Sequence, residues 1–257
     1  MRVLVPHGMA EDDRYTIPGS GGVLRNKLGL TTHQDVDEAM NRAATTRWAI
    51  MQTEPIPDRL DLGYLRSIHE RFLSPVLDWA GELRKYGDEV GAGGTPFQYA
   101  ASQFYKPELD RLFDQLAGED YLAGLPEQEF ADQLADRWGT LSFCHPFRDG
   151  NTRSQSAYID RLATRAGHPI DWQRVSVPEL REARLSAAFR VGGERVLSDY
   201  LCARLLPPTR SAELNFAREQ NPSLEGRISQ RVRELRSRGS SDADPDRGSR
   251  GRGIGGR

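Results

Sequence analysis

The stretch HPFRDGNTR, residues 145–153, contains the side chains whose types and spacing most favour chemistry. A histidine with an ordinary pKa near ~6.5 can take a proton from a hydroxyl group at neutral pH, so His145 is a candidate base. Asp149 offers the hard carboxylate oxygens that Mg²⁺ prefers. Arg153 adds a permanent cation that suits a phosphate oxygen.

Helical patterns flank this stretch, which places residues 145–150, the motif loop, between two helices and Asn151 in the first turn of the second. The start of a helix has unpaired backbone N–H groups and a partial positive charge, and both favour a bound phosphate. Gly150 lets the backbone turn sharply and approach an anion closely. A buried Phe147 would fix the loop to the body of the protein. Base, metal ligand and anion cradle together indicate phosphoryl or nucleotidyl transfer.

The same residue types also occur in loops that have no catalytic role. Asp, Gly and Asn are ordinary turn and helix-cap residues, and an isolated histidine in a loop is more often structural than catalytic. Residue types alone therefore leave two interpretations open, a catalytic loop and a polar turn that joins two helices.

Apolar residues at helical spacing predict helices on both sides of the motif loop, with N-cap candidates at Thr31 or Thr32 and at Ser176. The predicted helices span residues 35–51, 62–72, 102–117, 127–143, 151–166, 177–189 and 195–206. The glycine-rich segment 84–97, the flap, excludes a regular helix and predicts a short β-hairpin. The fold class predicted from these elements is mainly α.

The charge of the chain changes at its C-terminal end. From residue 209 onward there are eleven Arg and seven acidic residues, so this tail carries about +4 against about −6 for the remainder. Residues 224–235 have the spacing of a short amphipathic helix, whereas the sequence after Gly239 lacks apolar residues for a core and predicts disorder. The RGSRGRG element is too short and too mixed in charge to indicate a nucleic-acid partner.

The composition favours an intracellular protein that does not enter the membrane. Cys144 and Cys202 form no CxxC pattern, which argues against a cysteine metal site and favours a reducing compartment. No apolar run approaches the ~18 residues of a membrane helix, and the apolar stretch at the N-terminus is too short for a signal peptide. We therefore expect a cytoplasmic location, with secretion as an effector left open.

The residues 145–153 resemble the central motif of the Fic (Fido) family, HxFx(D/E)GNGRxxR. The resemblance holds at His145, Phe147, Asp149, Gly150, Asn151 and Arg153. PGSGGVLRNKLG near the N-terminus, and WAGELR followed by GGTPF, are similar to further parts of that family. The resemblance implies a Fic-type helical bundle with a short β-hairpin flap. It divides the chain into an irregular segment 1–14, a Fic-like domain 15–206 and a basic, partly disordered tail 207–257.

Most members of this family transfer AMP from ATP to a hydroxyl group of a target protein. The resemblance implies that His145 deprotonates a Ser, Thr or Tyr hydroxyl, which attacks the α-phosphate, and that Asp149 holds Mg²⁺. The nucleotide phosphates would be bound by Gly150, Asn151, Thr152 and Arg153. Docking of the target would fall to the flap residues Thr95, Pro96 and Phe97.

Two positions depart from the family motif. Thr152 replaces the second glycine of GNGR, and its β-branched side chain narrows the anion hole. Ser156 replaces the final arginine, which removes a charged contact to the outer phosphates worth about 1.5–3 kcal/mol. Three outcomes stay open: AMP transfer at a reduced rate, transfer of phosphate or another nucleotidyl group, and a scaffold that binds nucleotide or a partner without catalysis.

Self-inhibition of the usual family type is not expected. That inhibition uses a helix with the pattern [S/T]xxxE[G/N], whose glutamate pairs with the final motif arginine. In this chain only Glu225 is followed by Gly or Asn, Asn221 stands four residues before it, and position 156 is a serine. A separate antitoxin protein is left open as a partner.

Overall fold

The computed structural model describes residues 13–207, so the predicted amphipathic stretch 224–235 and the rest of the tail lie outside the described residues. Helices make up most of its regular structure, which confirms the mainly α class. They are α1 His33–Met51, α2 Leu62–Leu73, α3 Tyr105–Gly118, α4 Glu127–Cys144, α5 Asn151–Ala166, α6 Val177–Phe189 and α7 Gly193–Cys202. Two short 3-10 turns, Asp120–Leu122 and Trp172–Arg174, were not predicted.

Helices α4 and α5 form the centre of this fold. Helix α4 buries an apolar stripe that includes Phe130, Leu134 and Trp138, each of them 0% exposed. It packs against α6 and α7, while α5 packs against α2, which in turn contacts α1. Helix α5 is buried on most of its circumference, including polar residues such as Ser154 and Gln155. The motif loop is therefore fixed at both ends by the most buried helices of the domain.

The predicted helix boundaries lie within two residues of those in the structure except at the start of α3 and the end of α7. Helix α1 begins after the predicted N-cap Thr32, whose hydroxyl accepts a hydrogen bond from the Asp35 N–H at 3.1 Å. Ser176 occupies the N-cap position of α6 but its side chain makes no cap hydrogen bond. None of the helices in the described part of the chain has the length and apolarity needed to cross a bilayer.

Two predicted helices are shorter than expected. Helix α3 begins at Tyr105 rather than 102, because Ser102 Oγ accepts a hydrogen bond from the Gly87 N–H at 3.0 Å and is held against the flap. Helix α7 ends at Cys202 rather than 206, because Leu205 forms an isolated antiparallel bridge with Ile170.

The flap is a minimal hairpin. A single antiparallel bridge between Gly91 and Gln98 closes it. All residues of the flap are described in the structure, and none of them forms a β-strand. The Ala92 N–H donates to the Phe97 carbonyl at 2.9 Å, and the Tyr99 N–H donates to the Val90 carbonyl at 3.1 Å. The predicted hairpin is therefore present in its shortest form.

Arg84 fastens the start of the flap to the end of α4. Its buried guanidinium donates to the carbonyl oxygens of His145 at 2.7 Å and Cys144 at 2.9 Å, which lie at the C-terminal end of that helix. It also donates to the carbonyls of Asp88 at 2.8 Å and Ala100 at 2.9 Å, on the two sides of the flap. A cation is favourable at a helix C-terminus, so one side chain joins the helix end and the base of the flap.

Candidate active site

A cavity of about 890 Å³ opens at the N-terminal end of α5, between the motif loop, the flap and α1. Most of the residues that the sequence analysis selected line it: Thr95, His145, Asp149, Gly150, Asn151, Thr152 and Arg153. Phe147 does not line it, because its side chain is buried at 0% exposure beneath the loop. A separate groove of about 440 Å³ beside Phe104 and Phe143 contains none of these residues.

His145 is the first residue after α4 and has a left-handed backbone, with φ 43° and ψ 62°. Its imidazole lies flat against the ring of Tyr99, with 3.6 Å between the ring centroids and 8° between the planes. Nδ1 is buried and makes no hydrogen bond of regular geometry, although the Ser142 carbonyl lies near it. Stacking on Tyr99 therefore does most to hold the ring in place, and Nε2 is the nitrogen left for a substrate.

Burial lowers the pKa of His145 well below its ordinary value. The nearby guanidinium groups of Arg184, Arg84 and Arg148 lower it further, because each of them disfavours an imidazolium. The imidazole is therefore neutral at pH 7 and able to accept a proton.

Asn151, which the sequence assigns to the phosphate site, turns its side chain into the motif loop. Its Oδ1 accepts from the Phe147 N–H at 2.9 Å, and its Nδ2 donates to the Phe147 carbonyl at 2.7 Å. The amide is thus turned into the loop, at 2% exposure. Its side chain therefore closes the motif loop on itself.

Gly150 occupies the turn into α5 with φ 78°, a left-handed conformation that glycine adopts without strain. A Cβ atom at this position would lie 2.2 Å from Leu73 Cδ1. Both the backbone angle and the close approach of α2 therefore require glycine here.

His69, on α2, supports the loop from below. Its Nε2 donates to the Asp149 carbonyl at 2.9 Å and its Nδ1 accepts from the Gly81 N–H at 2.8 Å. These partners place the ring hydrogen on Nε2. The ring stacks on Phe147 with 3.9 Å between centroids. Burial lowers the pKa of His69 to about 4, so the side chain is neutral.

Asp149 and Arg153 stand together at the cavity. Asp149 accepts from the Gly150 N–H and lies 3.4 Å from Nη1 of Arg153. Arg153 also donates to Asn41 Oδ1 at 2.8 Å and pairs with Asp37, both on α1. The guanidinium is therefore already held at the cavity wall, with further N–H groups left for a phosphate oxygen.

The predicted flap residues act partly within the flap itself. Thr95 Oγ1 donates to the Ala92 carbonyl at 2.6 Å and accepts from the Phe97 N–H at 3.2 Å. The Phe97 ring stacks on Phe189 of α6, with 4.7 Å between centroids. Thr95 and Phe97 shape the flap and attach it to α6, while Pro96 is exposed.

The two departures from the motif lie in different environments. Thr152 is exposed at the cavity, whereas Ser156 is buried at 6% exposure and does not line it. Thr152 Oγ1 accepts a hydrogen bond at 3.1 Å from Arg184 of α6.

Three residues that the sequence analysis did not select adjoin this site: His69, Tyr99 and Arg184. Only Arg184 has a signal in the sequence, because it falls on the same helical face as the buried Leu180 and Ala183. An arginine within an apolar stripe indicates a buried cation with a specific partner.

Comparisons with known proteins agree with this geometry. The Fic/DOC family model matches residues 59–163. A protein of Escherichia coli (strain K12) named probable protein adenylyltransferase Fic is 31% identical over 177 residues, which cover 69% of this chain and 85% of that protein. Protein adenylyltransferase VbhT of Bartonella schoenbuchensis is 32% identical over 178 residues, covering 69% of this chain and 36% of that protein.

A solved structure extends the likeness to the fold. The BepC protein of Bartonella tribocorum, a translocated effector crystallised with bound AMPPNP, has a TM-score of 0.69 and 26% identity. The match covers 78% of this chain and 99% of that one. On its sequence, its fold and its motif loop, this chain belongs to the Fic/DOC family.

Proposed function

We propose that this chain is a protein adenylyltransferase, which transfers AMP from ATP to a hydroxyl group of a target protein. The observation that carries the proposal is the neutral imidazole of His145 in the same cavity as the N-terminus of α5. A base for the hydroxyl and a cradle for the phosphate are thus in one place. The adenylyltransferase names of the relatives support the same reaction.

His145 would act through Nε2, because Nδ1 is buried. The target hydroxyl gives its proton to Nε2 as its oxygen forms a bond with the α-phosphorus. The bond from that phosphorus to the β-phosphate oxygen breaks, and pyrophosphate leaves. The three arginines near the ring disfavour the imidazolium, so the proton passes on to solvent and the base is restored.

The first turn of α5 would hold the nucleotide phosphates. Gly150 allows close approach of the backbone, and the N–H groups of residues 151–153 have no partner within the helix. Fixed donors of this kind stabilise the negative charge that develops on the α-phosphate without having to reorganise. Arg153 adds a guanidinium to the same wall of the cavity.

The chemistry of the site fits Mg²⁺, with Asp149 as its protein ligand. Within residues 13–207 no three His, Cys, Asp or Glu side chains come together as a protein-only metal site. Mg²⁺ suits this arrangement, because it is commonly held by one or two carboxylates together with substrate phosphates and water. When bound, the ion would neutralise part of the charge on the phosphates.

A second function, transfer of phosphate or another nucleotidyl group, is favoured by the exposed Thr152 side chain in the anion site. A scaffold without catalysis is favoured by the buried Ser156 in place of an arginine. The class of the target hydroxyl (Ser, Thr or Tyr), a separate antitoxin, target docking by the flap and the cytoplasmic location are further parts of the proposal.

Labelled ATP distinguishes these functions. The full chain is incubated with cell lysate and either α-labelled or γ-labelled ATP. We expect protein labelling from the α-label only, with a loss of at least ~100-fold in His145→Ala, as is typical for removal of a general base. Label from γ-labelled ATP alone would instead identify phosphate transfer.

His168→Ala is the matched control. His168 Nε2 donates to the Leu125 carbonyl at 2.8 Å, and His168 does not line the cavity. We expect this variant to label like the wild type. Equal labelling by wild type and His145→Ala would refute the assignment of the base, and binding of ATP without any label would identify a scaffold.

A further inference from the structure

Arg184 is a buried cation without a carboxylate partner. Its side chain belongs to a residue only 5% exposed, and its guanidinium lies 5.4 Å from the ring centre of Trp138. Its hydrogen bonds go to neutral oxygens: Ser142 Oγ at 3.1 Å, Gln155 Oε1 at 2.7 Å and Thr152 Oγ1 at 3.1 Å. Within the described part of the chain no salt bridge involves it. An unpaired buried charge is costly. Arg184 does not itself line the cavity, so it can act on an anion there only through a neighbouring group.

The Thr152 hydroxyl links Arg184 to the cavity. A hydroxyl has two acceptor lone pairs and one hydrogen to donate. Because Thr152 Oγ1 accepts from Arg184, its own hydrogen points elsewhere, and among residues 13–207 it has no hydrogen-bond acceptor. Thr152 is exposed in the cavity wall, in the first turn of α5. Its O–H is therefore available beside the backbone N–H groups of that turn.

We propose that Arg184, by donating to Thr152 Oγ1, orients and polarises the Thr152 hydroxyl as a hydrogen-bond donor to the ATP phosphates, in partial replacement of the arginine that the family motif has at position 156. Ser156 cannot serve as that donor, because it is buried outside the cavity lining. Thr152 is the contacting group, and Arg184 is a positioning residue that orients and polarises its hydroxyl. The inference rests on the proposed use of ATP. It also gives the replacement of the motif glycine by threonine a physical purpose, since a glycine has no oxygen for Arg184 to hold.

Calorimetric titration of the full chain with ATP and with AMP, both with MgCl₂, tests this arrangement without knowledge of the target protein. Thr152→Val removes the hydroxyl and keeps the β-branched shape at an exposed position, so the fold is retained. Arg184→Met removes the charge and keeps the apolar stem over Trp138. Each variant should weaken ATP binding by about tenfold or more, which is typical of a lost hydrogen bond to a charged group. AMP, with a single phosphate, should lose less.

Two further variants separate this role from a purely structural one. Thr152→Ser retains the hydroxyl and should bind ATP within about threefold of the wild type. The double variant Thr152→Val with Arg184→Met should be no weaker than the poorer single variant, because both changes break one connection. Arg137→Met is the control, since Arg137 is 7% exposed, pairs with Glu119 and does not line the cavity. It should lower stability and leave ATP binding unchanged.

The outcomes are distinct. If the wild type binds ATP and both Thr152→Val and Arg184→Met bind it equally well, the inference is overturned while the proposed function stands. If the wild type binds no ATP, the proposed function fails, and this inference fails with it. Thermal melting identifies a variant of Arg184 that does not fold. In that case the pair Thr152→Val and Thr152→Ser decides, and equal ATP affinity in the two would overturn the inference.

Discussion

Replacing Gly150 by alanine tests the reasoning about the motif loop most directly. The φ angle of 78° costs an L-residue about 1–2 kcal/mol. The new Cβ would lie 2.2 Å from Leu73 Cδ1, well inside the ~3.5–4.0 Å of ordinary carbon contact. Leu73 is 0% exposed, so its side chain would have to repack within the core, and such overpacking costs about 1–3 kcal/mol. We expect Gly150→Ala to lower the free energy of unfolding by about 2–5 kcal/mol.

Gly167 offers a matched control at the other end of α5. Its φ of 89° is similar, but a Cβ there would meet nothing within 4 Å. Gly167→Ala should therefore lower the free energy of unfolding only by the cost of the left-handed backbone angle, about 1–2 kcal/mol. Both free energies of unfolding are measured by urea denaturation monitored by circular dichroism. ATP affinity is measured on the folded fraction. Equal losses in the two variants would refute the claim that contact with Leu73 excludes a side chain at position 150.

Two predictions concern the other supports of the loop. Asn151→Ala leaves the buried N–H and C=O of Phe147 unpaired, so it should cost about 2–4 kcal/mol of unfolding free energy; denaturation that matches the wild type would contradict the closed loop. His69, with a pKa of about 4 in the folded state and near ~6.5 when unfolded, binds a proton in the unfolded chain first, so stability should fall by about 3 kcal/mol as pH drops from 6.5 to 4. The urea midpoint should change less steeply with pH in His69→Gln than in the wild type. An equal pH dependence in the two would show that His69 is not the source of the lost stability.

Apolar spacing and cap residues were sufficient to predict the helices but not all of their ends. The predicted limits of α5, 151–166, match the structure, because glycine turns delimit it on both sides. The ends of α3 and α7 depend on partners far away in the sequence, Gly87 and Ile170, which no periodicity indicates. The limits of the segments at residues 15 and 206 stay predictions.

The candidate site divides in the same way. Motif spacing was enough to bring His145, Asp149 and Arg153 to one cavity, because neighbours in a loop and the following helix turn are close in space. The stacking of Tyr99 on His145 and the contact of Arg184 with Thr152 join residues from separate elements. Such pairings are decided by packing, so a single sequence offers at most a hint of them.

The four carbonyl contacts of Arg84 have a consequence for how this protein can change. The chain enters the hairpin at Arg84 and leaves it at Ala100. Because the Arg84 guanidinium donates to the carbonyls of both Ala100 and His145, the hairpin is closed at its root. The hairpin includes Tyr99, which stacks on the imidazole and directly precedes Ala100, so it is the root of the hairpin that bears on the imidazole. On the proposed role of the flap in target docking, exchange of its tip for a hairpin of another sequence, with Tyr99 kept, would change which protein is presented to the site. The tip of the flap is then the part that can vary, while Arg84, a residue outside the motif, fixes its root.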